Sequence, residues 1–157
     1  LGSLAFRRFE VEGSSMLPAL ADRQYLLLAP GRLLRDRLHR GDIVVFRSPP
    51  PFNQVLVKRI VGLPNEDIRL EAGLVYLNGT LFEEPYATVH PQEGGKERRE
   101  WWTGPDEYLL LGDNRTDSPD SRTFGTVAAT QIVGRVWVCY WPPRAWRLLT
   151  GAVDARR

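Results

Sequence analysis

A serine on a turn and a lysine in an apolar segment are the residues of this sequence best suited to joint catalysis. Ser15 lies in residues 13–18, Gly-Ser-Ser-Met-Leu-Pro, where glycine and proline bound a turn. Lys58 lies in residues 55–60, Val-Leu-Val-Lys-Arg-Ile, which predict a strand. Burial disfavours the charged form of an amine, so a buried lysine loses its proton more easily. A neutral lysine beside a serine hydroxyl is a general base beside a nucleophile, the Ser-Lys variant of serine catalysis.

The alternation of side chains along the lysine strand does not decide whether Lys58 is buried. A period of two puts Leu56 and Ile60 on the same face as Lys58, and Val57, Arg59 and Val61 on the other. Both faces carry apolar neighbours, so either could face the core. Arg59 is excluded as the base because the pKa of its guanidinium is too high.

Three segments occur in an order that resembles the boxes of bacterial type I signal peptidases. Residues 11–20 resemble the serine box, residues 41–46 with 57–64 the lysine box, and residues 112–125 a third box. The linking segments Leu-Asn-Gly at 77–79 and Glu-Pro-Tyr at 84–86 also fit this family. The resemblance runs from about Phe9 to about Pro143, and three boxes in sequence are far more specific than one.

The resemblance implies a serine endopeptidase that removes N-terminal signal peptides from exported preproteins and cuts after small residues of the Ala-x-Ala type. Ser15, and not its neighbour Ser14, takes the position of the nucleophile, and Lys58 that of the general base. The implied partners are signal peptides, membrane lipid and, indirectly, the secretion machinery, with no nucleic acid and no cofactor or metal. The family also implies a membrane anchor upstream of Leu1, with the catalytic domain on the extracytoplasmic face of the cell membrane.

The third box supplies groups that orient others, by the same resemblance. Ser118 is expected to hydrogen-bond the lysine amine and hold it towards the nucleophile. Asp120 and Arg122 match a structural ion pair near the site, and Asp113, Asn114 and Arg115 are expected to tie the loop together. The alternative is a polar surface loop, because Asp-Asn and Ser-Pro are common in turns; it is kept for Thr116, Asp117 and Pro119.

Substrate recognition is expected along the strands that border the dyad. Residues 9–13 and 54–57 could each pair with an extended peptide by strand addition. The substrate-binding candidates, of which the apolar ones could line shallow pockets, are Phe9, Val11, Gly13, Met16, Leu20, Leu56 and Val57. The alternative is that these apolar side chains are ordinary core.

Stabilisation of the oxyanion needs donors aimed at the developing charge. The backbone N–H of Ser15 is the first candidate. Some relatives add a serine hydroxyl two residues earlier, where this sequence has Gly13, so the second donor stays open.

The fold is predicted to be all-β, mainly antiparallel, with short helices. One peptidase domain is expected over residues 1–157, with a small inserted region at 80–107. Asn-Gly at 78–79 favours a type I′ hairpin turn. Residues 33–40 are interpreted as a loop or one helical turn, and residues 90–100 as a mobile loop. The predicted strands are 9–13, 25–29, 43–46, the lysine strand, the two arms of a hairpin at 75–82, 107–111 and a central strand at 132–141.

Composition narrows the class of protein. The chain has 157 residues, 43% hydrophobic and 25% charged, which fits a soluble globular domain. A net charge of +2 is too small to indicate nucleic acid. Cys139 is the single cysteine, so no intrachain disulfide forms. No apolar run approaches the ~20 residues that span a bilayer.

Three other functions compete with the leading interpretation. A conjugation-pilus maturation peptidase would share the boxes, and a self-cleaving repressor would share the Ser-Lys chemistry but usually carries a DNA-binding domain. A peptide-binding module with a dead site is disfavoured because both dyad residues are present. A His-based triad lacks support, since Gly-x-Ser-x-Gly is missing and neither His39 nor His90 lies in a catalytic context.

Overall fold

Almost all regular structure in the protein is β-strand, as the sequence predicts. The structure is a computed structural model that describes residues 6–30, 38–88, 97–116 and 118–149. One short helix, α1 (Ser121–Phe124), and 3-10 turns at Ala129–Gln131 and Pro143–Ala145 accompany the strands. Within these ranges the strands are β1 (Arg7–Glu10), β2 (Tyr25–Pro30), β3 (Ile43–Arg47), β4 (Val55–Gly62), β5 (Asp67–Glu71), β6 (Leu74–Leu77), β7 (Thr80–Phe82), β8 (Arg98–Trp102), β9 (Glu107–Leu111), β10 (Val127–Ala128), β11 (Ile132–Trp141) and β12 (Arg147–Leu148).

The larger sheet carries the serine and lysine boxes. Its order is β1-β2-β11-β3-β4-β9-β10, with β12 paired to β11, and every pairing is antiparallel. The central position predicted for β11 is confirmed, since it lies between β2 and β3. Strand β4 lies between β3 and β9 and is buried on both faces from Val57 to Gly62. A lysine in this part of the strand is buried whichever face it lies on.

The smaller sheet has the order β7-β6-β5-β8 and packs on the larger one. The predicted insertion at 80–107 overlaps this sheet but omits β5 and β6, which belong to it. The hairpin turn forms as predicted, with φ of 49° at Asn78 and 85° at Gly79. A cluster of buried side chains joins the two sheets: Val61, Ile68, Leu70, Val75, Leu109 and Leu111.

Two predicted boundaries are wrong for local reasons. The first strand ends at Glu10 and not at residue 13, because Gly13 turns the chain with φ of 83°. Residues 98–100, assigned to a loop, form part of β8. Two of its charged residues lie opposite charges of opposite sign on β5, with Arg98 facing Glu71 and Glu100 facing Arg69, and such pairs stabilise a sheet. The rest of that loop, 90–96, and residues 33–37 lie outside the described residues.

Across the described ranges, none of the helices is both long enough and apolar enough to pass through a bilayer.

Candidate active site

The side chains of Ser15 and Lys58 meet as the sequence predicts. Lys58 Nζ donates a hydrogen bond of 2.7 Å to Ser15 Oγ and a second, of 3.0 Å, to the carbonyl oxygen of Val57. Lys58 is 1% exposed. It is Ser15, and not Ser14, whose hydroxyl takes the hydrogen bond from the amine.

The surroundings of Lys58 favour its neutral form. Burial lowers the pKa of Lys58 from 10.5 to about 8. The charges of Asp120 and Asp113 act in the opposite direction, and that of Arg122 adds to the lowering. The burial follows from the register of β4, in which Lys58 lies opposite the fully buried Val44 of β3. A base with a pKa near 8 is substantially neutral at mildly alkaline pH.

The turn that carries Ser15 is fixed by two backbone hydrogen bonds and by two buried side chains. Leu17 N–H donates to the Ser14 carbonyl at 3.1 Å, and Leu20 N–H donates to the Met16 carbonyl at 2.9 Å. The side chains of Met16 and Leu20 lie in the core, at 1% and 0% exposure. Ser15 is therefore carried on a turn that two backbone hydrogen bonds close and two buried side chains hold against the core.

Asp120 organises the third box around the dyad. Its carboxylate accepts from the N–H of Gly112 at 3.0 Å, and from the N–H of Arg122 at 3.1 Å as the N-cap of α1. It also accepts two hydrogen bonds of 2.9 Å from the Arg122 guanidinium. The predicted Asp120–Arg122 ion pair is present.

Asp113 and Arg115 hold the loop through partners outside the third box. Asp113 accepts two hydrogen bonds from Arg59, at 2.8 and 2.6 Å, and is fully buried. Arg115 donates two hydrogen bonds to Glu84, at 2.9 and 2.6 Å, and one of 2.8 Å to the Gly112 carbonyl. The sequence interpretation missed the roles of Arg59 and Glu84. Their positions in the lysine box and in the Glu-Pro-Tyr segment are the only sequence signals that point to them.

The predicted hydrogen bond from Ser118 to the lysine amine is not formed. Within the described residues Ser118 Oγ is buried and has no hydrogen-bond partner, and the amine of Lys58 donates to Ser15 and Val57. The Ser118 hydroxyl and the Ser15 backbone carbonyl nevertheless both lie against Gly112. A Cβ built on Gly112 would be 2.1 Å from Ser118 Oγ and 2.7 Å from the Ser15 carbonyl oxygen.

The substrate-binding candidates divide by exposure. Gly13 is exposed, and Phe9 and Leu56 are half-buried. The other four pack together in one core cluster and are at most 4% exposed: Val11, Met16, Leu20 and Val57. In this structure these four are therefore core residues and do not line a pocket.

A candidate oxyanion donor is the backbone N–H of Ser15, which donates to no group in the described part of the chain. The N–H of Gly13 is already used, since it donates to Asp22 Oδ1 at 2.8 Å. A side chain at Gly13 would meet open space but would have to adopt φ of 83°, a conformation that L residues rarely take.

A serine and a buried lysine in hydrogen-bond contact on an antiparallel β fold define a candidate serine hydrolase with a Ser-Lys dyad. Comparison with known proteins agrees with this class. Residues 1–141 match the family described as "Signal peptidase, peptidase S26". The chain belongs to this family.

Individual relatives point the same way. The chain is 37% identical over 154 residues to the probable signal peptidase I-2 of Synechocystis sp., covering 94% of this chain and 67% of that protein. It is 36% identical over 148 residues to signal peptidase I of Bacillus caldolyticus, covering 87% of this chain and 80% of that one. The crystal structure of a signal peptidase I from Enterococcus faecalis V583 matches with a TM-score of 0.55 and 31% identity, over 63% of this chain and 96% of the other.

Proposed function

We propose that this chain is a serine endopeptidase of the signal peptidase I type, with Ser15 as nucleophile and Lys58 as general base. The removal of signal peptides from exported preproteins follows from membership of the family. The observation that carries the residue assignment is the 2.7 Å contact between Lys58 Nζ and Ser15 Oγ. The relatives are named as signal peptidases I, which disfavours the pilus-maturation and repressor-type alternatives.

In the proposed reaction Lys58 takes up and releases the proton in both the acylation and the deacylation steps. Neutral Lys58 takes the proton of the Ser15 hydroxyl as Ser15 Oγ attacks the scissile carbonyl, and it then gives that proton to the leaving amine. Water next attacks the acyl group on Ser15 while Lys58 takes its proton, and Lys58 returns that proton to Ser15 Oγ as the bond between Oγ and the acyl carbon breaks and the carboxylate product leaves. The N–H of Ser15 is our candidate donor to the oxyanion in both halves.

The proposed substrate is an extended peptide bound by strand addition. Strand β1 is an outermost strand of the larger sheet, and it leads directly into residues 11–13 before the nucleophile. Val55, at the start of β4, is 43% exposed and lies three residues before Lys58. The start of β4 pairs with β3 but not with β9, which pairs with β4 only from Arg59 onwards. A peptide lying between β1 and this free side of β4 would pass the dyad. Because most of the apolar candidates are buried in the core, its pockets would be shallow and would admit alanine-sized side chains.

We further propose that the domain works at a membrane surface. Trp146, Trp141 and Trp137 are 61%, 49% and 43% exposed at the β11–β12 end of the larger sheet, and Trp side chains favour the headgroup region. Action beside the secretion machinery, on the extracytoplasmic face, would follow from a signal-peptide substrate.

The dyad assignment is tested with three serine and lysine variants and a signal-peptide substrate. Ser15→Ala and Lys58→Ala are expected to abolish cleavage while circular dichroism and thermal unfolding show a folded domain. Ser14→Ala is the matched control and is expected to retain most of the activity. Substantial turnover by a folded Lys58→Ala variant would falsify the assignment of the base.

A further inference from the structure

The segment that leaves the smaller sheet lies against the loop of the third box. Residues 84–88, called here the 84–88 segment, follow β7 and run beside residues 113–115. Thr88 N–H donates to the Asp113 carbonyl at 2.8 Å, and Arg115 N–H donates to the Thr88 carbonyl at 3.3 Å. Thr88 and Asn114 form a parallel β-bridge. These contacts fasten the backbone of the loop to the smaller sheet.

Two side chains of the 84–88 segment, those of Glu84 and Tyr86, add to this backbone contact. The carboxylate of Glu84 forms a two-point ion pair with Arg115, and the two side chains are only 6% and 4% exposed. Tyr86 Oη donates to Glu84 Oε1 at 2.9 Å, and the Tyr86 ring lies 4.1 Å from the guanidinium carbon of Arg59. Burial, with the charge of Glu84, raises the pKa of Tyr86 far above 10, so its hydroxyl stays protonated and remains a donor.

The loop held in this way contacts the turn of the nucleophile. Asn114 N–H donates to the Ser15 carbonyl at 3.0 Å, and Asn114 Nδ2 donates to the Ser14 carbonyl at 3.2 Å. Arg115 donates to the carbonyl of Gly112, the residue that lies against Ser15 and Ser118. A continuous series of contacts therefore runs from Glu84, through Arg115 and its chain neighbour Asn114, to the backbone of Ser15.

We propose that Glu84 and Tyr86 are positioning residues for the nucleophile, which fix the Ser15 turn by holding residues 113–115 against it. The proposal rests on the assignment of Ser15 and Lys58 as the dyad. Neither side chain contacts the dyad directly. Their effect passes through Arg115 and Asn114, and a small displacement of a reacting atom is enough to slow catalysis strongly.

The chain offers a matched control for an ion pair that is only structural. Arg40 and Glu66 also form a two-point pair, at 2.8 and 2.5 Å, with side chains 15% and 13% exposed. Glu66 accepts from the N–H of Leu63 as well, and among the described residues none of its hydrogen bonds involves the Ser15 turn or residues 113–115. Loss of either pair leaves an arginine without its buried partner, but only the loss of the Glu84 pair should affect Ser15.

The experiment compares Glu84→Gln, Tyr86→Phe and Glu66→Gln with the wild type, using kcat and KM per folded molecule. Glu84→Gln is expected to lower kcat by about tenfold or more, with KM within about twofold. Tyr86→Phe keeps the ring on Arg59 and the Arg115 pair, so it should fold normally and lower kcat by about threefold through one lost hydrogen bond. Glu66→Gln should lower thermal stability and leave kcat unchanged.

The pH profile supplies a readout that a loss of stability does not move. A loosened loop admits water to Lys58, which faces Asp120, Asp113 and Arg122, and burial is the main cause of its lowered pKa. The midpoint of the kcat profile should therefore shift to higher pH in Glu84→Gln and stay in place in Glu66→Gln.

A double-mutant cycle tests whether Glu84 acts through Asn114. The double variant Glu84→Gln with Asn114→Ala should lose less kcat than the product of the two single losses, because both substitutions act on the same contact.

The outcomes separate this inference from the dyad assignment. Wild-type kcat and pH midpoint in Tyr86→Phe and Glu84→Gln, or an equal loss in Glu66→Gln, would overturn the positioning role while Ser15→Ala stayed inactive. An active Ser15→Ala variant would instead remove the dyad assignment, and the positioning role with it.

Discussion

Gly112 packs so closely against Ser118 that a Cβ on the glycine would lie 2.1 Å from the serine hydroxyl oxygen. The same Cβ would approach the Ser15 carbonyl oxygen to 2.7 Å. The N–H of Gly112 is held by Asp120 and its carbonyl by Arg115, so the glycine cannot move away. The absence of a side chain here is what allows the third box to lie directly on the nucleophile turn.

Gly112→Ala is therefore expected to displace the turn of Ser15. Overpacking a tight site typically costs about 1–3 kcal/mol of stability, and we expect kcat to fall by about tenfold or more because the displaced atoms include the nucleophile backbone. Chemical denaturation and steady-state kinetics measure the two effects. Gly104→Ala is the control, since its nearest contact is the flexible Glu107 side chain at 3.2 Å, and it should retain full activity.

Ser118→Ala should separate activity from stability. The Ser118 hydroxyl is buried without a partner, so its removal should leave the free energy of unfolding unchanged or slightly higher. The resemblance to signal peptidases implies that Ser118 orients the amine of Lys58, so we expect turnover to fall without being lost. Ser121→Ala is the contrasting control, because Ser121 Oγ accepts from Leu110 N–H at 2.9 Å and its loss should cost about 1–3 kcal/mol. Wild-type kcat in Ser118→Ala would exclude an orienting role.

The sequence predicted the pairing of Ser15 with Lys58 because both lie in short segments whose residue types are distinctive. It could not decide the burial of Lys58, since that depends on the packing of β3 and β9 on either side of β4. The Arg59–Asp113 and Glu84–Arg115 pairs could not be predicted either, because two residues far apart in the sequence leave no local pattern that identifies them as partners. The apolar residues around the dyad look alike in sequence whether they line a pocket or fill the core, and Leu20 and Met16 fill the core.

The activity of the dyad is expected to rise with pH. The base works in its neutral form, and burial lowers the pKa of Lys58 to about 8, so activity should be low at acidic pH and increase through a midpoint near that value. The pH dependence of kcat for a peptide substrate measures this. A profile that is already flat from pH 6 would contradict a lysine base.

The same lowered pKa has a consequence for stability with a definite sign. Between a pH of about 8 and 10.5 the unfolded chain binds a proton at Lys58 that the folded protein does not, so this group makes stability rise with pH over that window. Below it, the buried charge is a constant penalty. Lys58→Met should remove this dependence, and urea unfolding at pH 7 and pH 10 should show a smaller difference between the two pH values than in the wild type.

The last prediction concerns contact with lipid through the tryptophans of the larger sheet. Trp146 and Trp141 are exposed and so are not simply packed on the domain. Arg144, between them in the sequence, and Arg7 and Arg8, on β1 of the same sheet, are exposed cations. Arg147 is not counted among the cations available to lipid, because its guanidinium donates hydrogen bonds to the carbonyls of Ala19 and Ala145.

We expect weak binding to anionic vesicles, with a blue shift of Trp fluorescence that is reduced in Trp146→Ala. Trp102→Ala is the matched control, since Trp102 is 65% exposed but lies on β8 at the edge of the smaller sheet, and its loss should leave binding unchanged. High salt should weaken the binding, because the arginines contribute through charge. If the wild type shows neither a spectral shift nor co-sedimentation with vesicles, this face of the domain does not bind lipid.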